Sequence, residues 1–211
     1  MQAHAAANGA GGTVASSVRS IGIAAPAAEA AEAAARVFLE ALGLPVDSDG
    51  MRETPGRMAR AYQELFTAAP FTFTSFANEN GYDELVLARD LPVRAVCEHH
   101  LLPFVGVAHV GYLPGERILG LSKLARLVEH FGSRPQLQER MTKQIAELLD
   151  KELSPRGVGV VIEAEHSCMT LRGVRARGSS TVTSTLLGLL REDPRSRQEF
   201  ISLIPRASGL G

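Results

Sequence analysis

The hydrophobic period of this chain switches several times, and the order of the switches restricts the fold more than any single residue does. Residues 84–88, 93–96 and 105–113 carry Val with alternating partners, as half-buried strands do, and the last run ends in turn chemistry at Pro114-Gly115. After Gly120 the spacing becomes helical, with Leu121, Leu124, Leu127 and Val128 on one stripe. A second helix is expected over 135–153, turning Leu137, Met141, Ile145, Leu148 and Leu149 inward. Ser133-Arg134-Pro135-Gln136 reads as its capping-box start, with Ser as N-cap, Pro early and Gln three residues on. Strand character returns over 157–165 and 180–187, and a short helix closes the pattern over 194–203. Upstream, the Ala- and Glu-rich segment 26–42 reads as one helix, and Thr54-Pro55 opens another with Met58, Ala61, Tyr62 and Leu65 on one face. Runs of helices, strands, helices and strands argue for an α+β fold with an antiparallel sheet, not a doubly wound parallel one.

A length of 211 residues supports one domain with an extension. Residues 1–25 are dominated by Ala, Gly and Ser and are expected to form a disordered tail, followed by an N-terminal helical segment over 26–70 and the main domain over 71–211. A mitochondrial presequence is disfavoured because Arg19 is the only Arg or Lys before Arg36. A net charge of -1 offers no global attraction to nucleic acid or an anionic membrane, so anion binding has to come from local clusters. No apolar run approaches the roughly 20 residues of a membrane span. Two cysteines far apart, with no secretory signal pattern, fit a reducing cytoplasm.

Those two cysteines each sit beside histidine. Cys97-Glu98-His99-His100 places one thiol and two imidazoles within four residues, and His166-Ser167-Cys168 follows the apolar run VGVVIEAE. On a strand, residues i and i+2 share a face, so His166 and Cys168 would present imidazole and thiol side by side. In the first cluster, Cys97 and His99 share a face if the strand continues, whereas Cys97 and His100 converge only if the chain turns; parity leaves both open. Five candidates exceed the three protein ligands of a catalytic zinc, leaving two for acid-base work. Thiolate with imidazole favours Zn2+ over oxygen-loving cations. A free Cys is also an ordinary small core residue, and it is the second half-site that weighs against that explanation.

Basic residues gather near these half-sites. Gly120-Leu121-Ser122-Lys123 opens a helix, placing N–H groups, a hydroxyl and an ammonium where phosphate is attracted, with Arg126 at i+3 from Lys123. A Ser N-cap before a solvated basic face explains that fragment equally well. Arg57 and Arg60 form another i, i+3 pair, and Arg172, Arg175 and Arg177 follow Cys168 closely. GVRARGSS over 173–180 mimics a phosphate loop but lacks its Lys. Gln138-Glu139 falls in the first turn of a helix, where an acid complements the macrodipole; its functional alternative is a carboxylate accepting two donors from a guanine edge.

Taken together, VCEHHLLPF, GLSKLAR, RPQLQERMTKQI and EAEHSCMTLRGVR, in this order and spacing, resemble GTP cyclohydrolase I, and TPGRMARAY is similar to that family's N-terminal helix motif. The resemblance covers about residues 30–205. It implies a zinc enzyme of the tunnelling fold (T-fold), with a four-stranded antiparallel sheet carrying two helices on one face. It also implies a homodecamer built around a β-barrel tunnel, with active sites at subunit interfaces. By motif, the resemblance makes Cys97, His100 and Cys168 the zinc ligands, which requires a turn between Cys97 and His100. It leaves His99 and His166 for proton transfer, with Ser122 assisting. Glu139 with Gln138 falls where the family recognises guanine. Lys123, Arg126, Arg172, Arg57 and Arg60 fall with Ser122 where it holds the triphosphate. The implied reaction converts GTP and water to 7,8-dihydroneopterin triphosphate and formate, the first step toward tetrahydrofolate or related pterins. The nearest enzymatic rival, a nucleobase deaminase, needs H-x-E and P-C-x-x-C, and the chain has neither. A silent zinc- or nucleotide-binding protein would not need the two spare histidines and the basic set.

Overall fold

The computed structural model describes residues 13–18 and 27–204. In chain order the elements are β1 (Val14–Val18), α1 (Ala28–Ala41), α2 (Thr54–Leu65), β2 (Phe71–Ala77), β3 (Val86–Cys97), β4 (Pro103–Leu113) and β5 (Arg117–Leu119). They continue with α3 (Ser122–Gly132), β6 (Pro135–Gln136), α4 (Gln138–Leu153), β7 (Gly157–His166), α5 (Ser167–Thr170), β8 (Thr181–Gly188), α6 (Leu189–Glu192) and α7 (Pro194–Leu203). Five strands form the main sheet in the order β6-β3-β4-β7-β8, antiparallel except where β6 runs parallel to β3. A smaller antiparallel sheet has the order β1-β2-β5. This is the expected α+β fold, and the four antiparallel strands β3-β4-β7-β8 with two long helices on one face are the arrangement of the tunnelling fold.

The strand period of two separates the faces of the main sheet. Val93 and Ala95 on β3, Ala108, Val110 and Tyr112 on β4, and Val158, Val160 and Ile162 on β7 pack in one cluster with Leu124, Leu127, Met141 and Ile145 of α3 and α4. On the opposite face Gly111 and Gly159 are register partners. Their missing side chains leave the space that the Phe200 ring of α7 fills: a Cβ on Gly159 would stand 2.7 Å from Phe200 Cζ. Asp193 caps α7 by accepting from the Ser196 N–H at 2.9 Å.

Several expectations need correction. The two strands expected over 84–88 and 93–96 are one strand, β3 (Val86–Cys97), broken in register by a bulge between Ala88 and Leu91, where Asp90 has φ 55°. The second long helix starts at Gln138, not 135, and Leu137 provides no side-chain cap. Pro135 and Gln136 instead pair with Val96 and Cys97, and Ser133 Oγ donates back to Glu129 O at 3.0 Å, closing α3. The strand pairing uses the main chain that a capping box would have needed free. On α2 the buried residues are Pro55, Gly56 and Ala59, while Ala61 and Leu65 are exposed. Val14–Val18, inside the stretch expected to be disordered, is β1 on the edge of β2, and Ser16 Oγ donates to Glu152 at 2.5 Å. The rest of that expected tail, 1–12 and 19–25, lies outside the described residues. Strands β2 and β5 were unread although FTFTSFA alternates at period two, with Phe71, Phe73 and Ser75 buried. Among the described residues no helix is long and apolar enough to cross a membrane.

His130 of α3 is 2% exposed. It packs edge-on against Phe71 and Phe131, with ring centroids 5.7 and 5.3 Å away. Neither ring nitrogen has a hydrogen-bond partner among the described residues. Burial first, then the Arg134 charge, pushes its pKa below the ordinary imidazole value of 6.5.

Two outcomes are expected from this packing. Phe200→Ala should cost about 3–5 kcal/mol of unfolding free energy in denaturant titrations, since the ring is fully buried. A depressed histidine pKa gives stability that is complete above the unfolded value and is lost progressively as pH falls below 6.5. His130→Phe should therefore reduce the acid-side fall in melting temperature relative to the parent chain.

Candidate metal centre and substrate cleft

Sheet parity brings three side chains to one end of the helix-covered face. On β3 the buried odd residues end in Cys97, and on β4 and β7 the even positions end in Phe104 and His166. Phe104 and His166 are register partners, and their rings stack with centroids 4.5 Å apart and planes 11° from parallel. The stack restricts the imidazole to one plane.

At Cys97 the strand ends in a turn. Cys97 N donates to Leu102 O at 2.8 Å, and Cys97 O accepts from Leu101 N at 2.8 Å and from His100 N at 3.4 Å. Leu101 adopts φ 52° to complete the reversal. The chain thus turns between Cys97 and His100, bringing His100 Nδ1 to 4.0 Å from Cys97 Sγ. Tyr62 Oη of α2 donates to Leu101 O at 3.0 Å, tethering the turn from outside. His99 takes a different direction, its ring perpendicular to that of His100 at 6.2 Å.

The expected i, i+2 placement of His166 and Cys168 on one strand is not what forms. Strand β7 stops at His166, and Ser167–Thr170 is a single helical turn. Ser167 Oγ donates to Pro103 O at 2.5 Å and so binds this turn to the start of β4. Cys168 then folds in toward Cys97. One ligand atom from each of Cys97, His100 and Cys168 lies within 4.8 Å of the others. Ligand atoms around a tetrahedral zinc stand about 3.5 Å apart, so a small contraction suffices. Two thiols and an imidazole are a soft donor set that suits zinc. Burial first, then neighbouring Cys97, raises the Cys168 thiol pKa, while Arg172 lowers it. A bound cation would favour the thiolates that burial disfavours. The residues therefore fit a metal ion.

Around these donors is a cleft of ≈ 250 Å³, lined also by His99, Glu139, His166, Met169 and Thr181. Glu139 is exposed at the first turn of α4. Gln138, expected beside the base, is only 2% exposed. Its Nε2 donates to Ile162 O at 3.1 Å, Thr181 O at 2.8 Å and Thr183 Oγ1 at 3.2 Å. With the amide N–H groups committed, its Oε1 is the acceptor facing His166 Nε2 at 2.8 Å. This assigns the hydrogen of His166 to Nε2 and leaves Nδ1 without one. Burial lowers the His166 pKa, and the Glu139 charge opposes that shift.

The basic residues are more dispersed. Ser122 and Lys123 open α3 next to β2, where Gly120 N donates to Thr74 O at 3.2 Å. The opposite end of α3 is the one that meets the cleft, through Phe131 O and Gln136. Eleven residues of helix separate the two ends by about 15 Å. Arg126 is exposed on the same helix. Arg57 pairs with Glu53 at 3.3 Å, and Arg60 stands with Glu32 beside Gly56. None of Ser122, Lys123, Arg126, Arg57, Arg60 or Arg172 lines the cleft of the single chain, although Arg172 is near enough for Cys168 to feel its charge.

Sequence reasoning passed over Phe104, Tyr62, Glu98, Gln136 and Arg140. The parity of Phe104 could have been counted from Cys97 once the turn was known. Gln136 and Arg140 had no such signal, because their roles depend on the pairing of β6 with β3.

A family model described as GTP cyclohydrolase I matches residues 31–205. GTP cyclohydrolase 1 of Aquifex aeolicus is 50% identical over 171 residues, covering 81% of this chain and 93% of that protein. The Streptomyces griseus protein of the same name is 54% identical over 179 residues, covering 82% of this chain and 89% of that protein. That of Mycobacterium bovis is 51% identical over 181 residues, covering 83% and 90%. The matched span includes every strand of the main sheet and every residue of the cleft, and the chain belongs to the GTP cyclohydrolase I family.

Proposed function

We propose that this chain converts GTP and water to 7,8-dihydroneopterin triphosphate and formate, using a zinc ion held by Cys97, His100 and Cys168. The observation that carries this reading is one cleft containing a Cys-His-Cys donor group, a His166 fixed in one tautomer and an exposed carboxylate at Glu139. A zinc ion there supplies Lewis acidity that lowers the pKa of water toward neutrality.

The chain's own residues divide the remaining work. Glu139 accepts two N–H groups from the guanine edge, orienting the base with C8 toward the donor group. Gln138 acts behind His166 by holding its Nε2 hydrogen and leaving Nδ1 open. A neutral His166 takes the proton released as water adds to C8 and delivers it to N7; the C8 hydroxyl proton then passes to N9 as the C8–N9 bond breaks, leaving C8 as a formyl group on N7. A second hydrolysis releases C8 as formate. His99, on the exposed side of the cleft, and Ser122 carry protons while the ribose rearranges and closes onto the pyrimidine amine.

The triphosphate is assigned to Lys123, Arg126, Arg172, Arg57 and Arg60 with Ser122. Within one chain the cleft is adjacent only to Arg172 among these, and the α3 group lies about 15 Å along its helix. This reading therefore places part of the set on a neighbouring copy, in a homo-oligomer with interfacial sites; the resemblance makes that a decamer. Exposed Val37, Phe38 and Leu42 on and just after α1 supply apolar surface for such contacts. Two free cysteines suit a reducing cytoplasm.

Metal analysis should find about one zinc per chain in the parent, and Cys97→Ser or Cys168→Ser should reduce it to near zero. Zinc retained at full occupancy in both variants would refute the ligand assignment. Incubation of the zinc-replete chain with GTP should yield formate and, after oxidation, a fluorescent pterin. His99→Ala and His166→Ala should keep zinc and lose pterin formation by 10²-fold or more, as removal of a positioned acid-base group does. An absence of product from the parent would favour a nucleotide-binding role.

A further inference from the structure

The two walls of the cleft meet at Gln136, which is 1% exposed. Its main chain pairs with Cys97, and its carbonyl accepts from Glu98 N at 3.0 Å. Its side-chain Nε2 donates to Phe131 O at 2.9 Å and to Gln144 Oε1 at 3.0 Å. The remaining Oε1 accepts from Arg140 Nε at 3.0 Å. Arg140 uses Nη2 to reach Pro135 O at 3.2 Å and to pair with the Glu98 carboxylate. The contacts close a ring: Glu98 side chain to Arg140, Arg140 to the Gln136 side chain, and the Gln136 main chain back to Glu98.

The ring joins two places that matter chemically. Glu98 lies between Cys97 and His99, and Arg140 follows Glu139. One wall thus carries two of the three residues of the donor group, and the other carries the Glu139 carboxylate. A guanidinium is a planar fork, so bonds through Nε and Nη2 fix its orientation as well as its charge. We propose that Glu98, Arg140 and Gln136 are positioning residues whose ring sets the Cys97–His100 turn against Gln138 and Glu139, coupling metal affinity to recognition of the base. The base half of this statement rests on the GTP reading above; the metal half does not.

Glu98 and Arg140 side chains are 45% and 40% exposed, so their replacement removes no buried apolar side chain. The experiment is a double-mutant cycle on the full chain with Glu98→Gln, Arg140→Met and both together. It reads zinc affinity by competition with a chelating dye, and KM and kcat with GTP. Each single change should weaken zinc about tenfold, in the range seen for groups that orient metal ligands, and should raise KM for GTP more than it lowers kcat. The double variant should lose no more than either single one. Tighter zinc in Arg140→Met would show the Glu98 charge acting alone and overturn the proposal. So would losses that multiply in the double variant, or a zinc loss with unchanged KM. A parent chain that turns over no GTP overturns the GTP reading, and the zinc cycle then decides the positioning role by itself.

Discussion

The pairing of Val96 and Cys97 with Pro135 and Gln136 ends a core strand and launches a helix at one point in space. A parallel pair of two residues is weak as a sheet element, and here it is strengthened by what surrounds it. Gln136 is buried with its side-chain amide fully used, and a buried amide left unpaired would cost about 1–3 kcal/mol. Because Cys97 is both a core residue and a member of the Cys-His-Cys group, the packing of α3 and α4 on the sheet and the geometry of the cleft are one problem. The helices cannot shift without moving the thiol, and the turn to His100 cannot open without unpairing Gln136.

The opposite wall uses a different solution. His166 is held from below by the stacked Phe104 ring and from the side by Gln138, whose amide is in turn fixed by carbonyls of β7 and β8. No charge is needed in this arrangement. The imidazole is oriented by neutral groups, which leaves its protonation to be set by burial and by the more distant Glu139. The Cys97–His100 turn is braced by an ion pair and His166 by neutral groups, so the two sides of the cleft differ in electrostatic character.

The α+β class and the order of β3, β4, α3, α4, β7 and β8 were legible because hydrophobic period is a local property, and helices α3 and α4 announce themselves through Leu124, Leu127, Met141 and Ile145. The donor residues were equally legible, since cysteine and histidine are scarce and cluster visibly. What sequence parity left open was direction. Whether His99 or His100 joins Cys97 depends on a turn closed by Leu102 and Leu101, and those leucines carry no turn signature. The same holds for Cys168, which reaches the centre through a helical turn pinned by Ser167 to Pro103, where alternation predicted a strand. Gln138 was placed correctly along the chain, but its side chain turns into the core because acceptors on β7 and β8 lie behind it. The false capping box at Ser133 shows a tertiary pairing overriding a locally sound signal.

Tyr62 gives the N-terminal helices a hold on the centre. Its hydroxyl donates to the carbonyl of Leu101, in the turn that carries His100, while α1 packs on α2 and leaves Val37 and Phe38 exposed. Helix α2 thus touches the turn through Tyr62 and packs against α1. A helix pair that contributes none of the Cys-His-Cys donors therefore holds the turn that joins two of them.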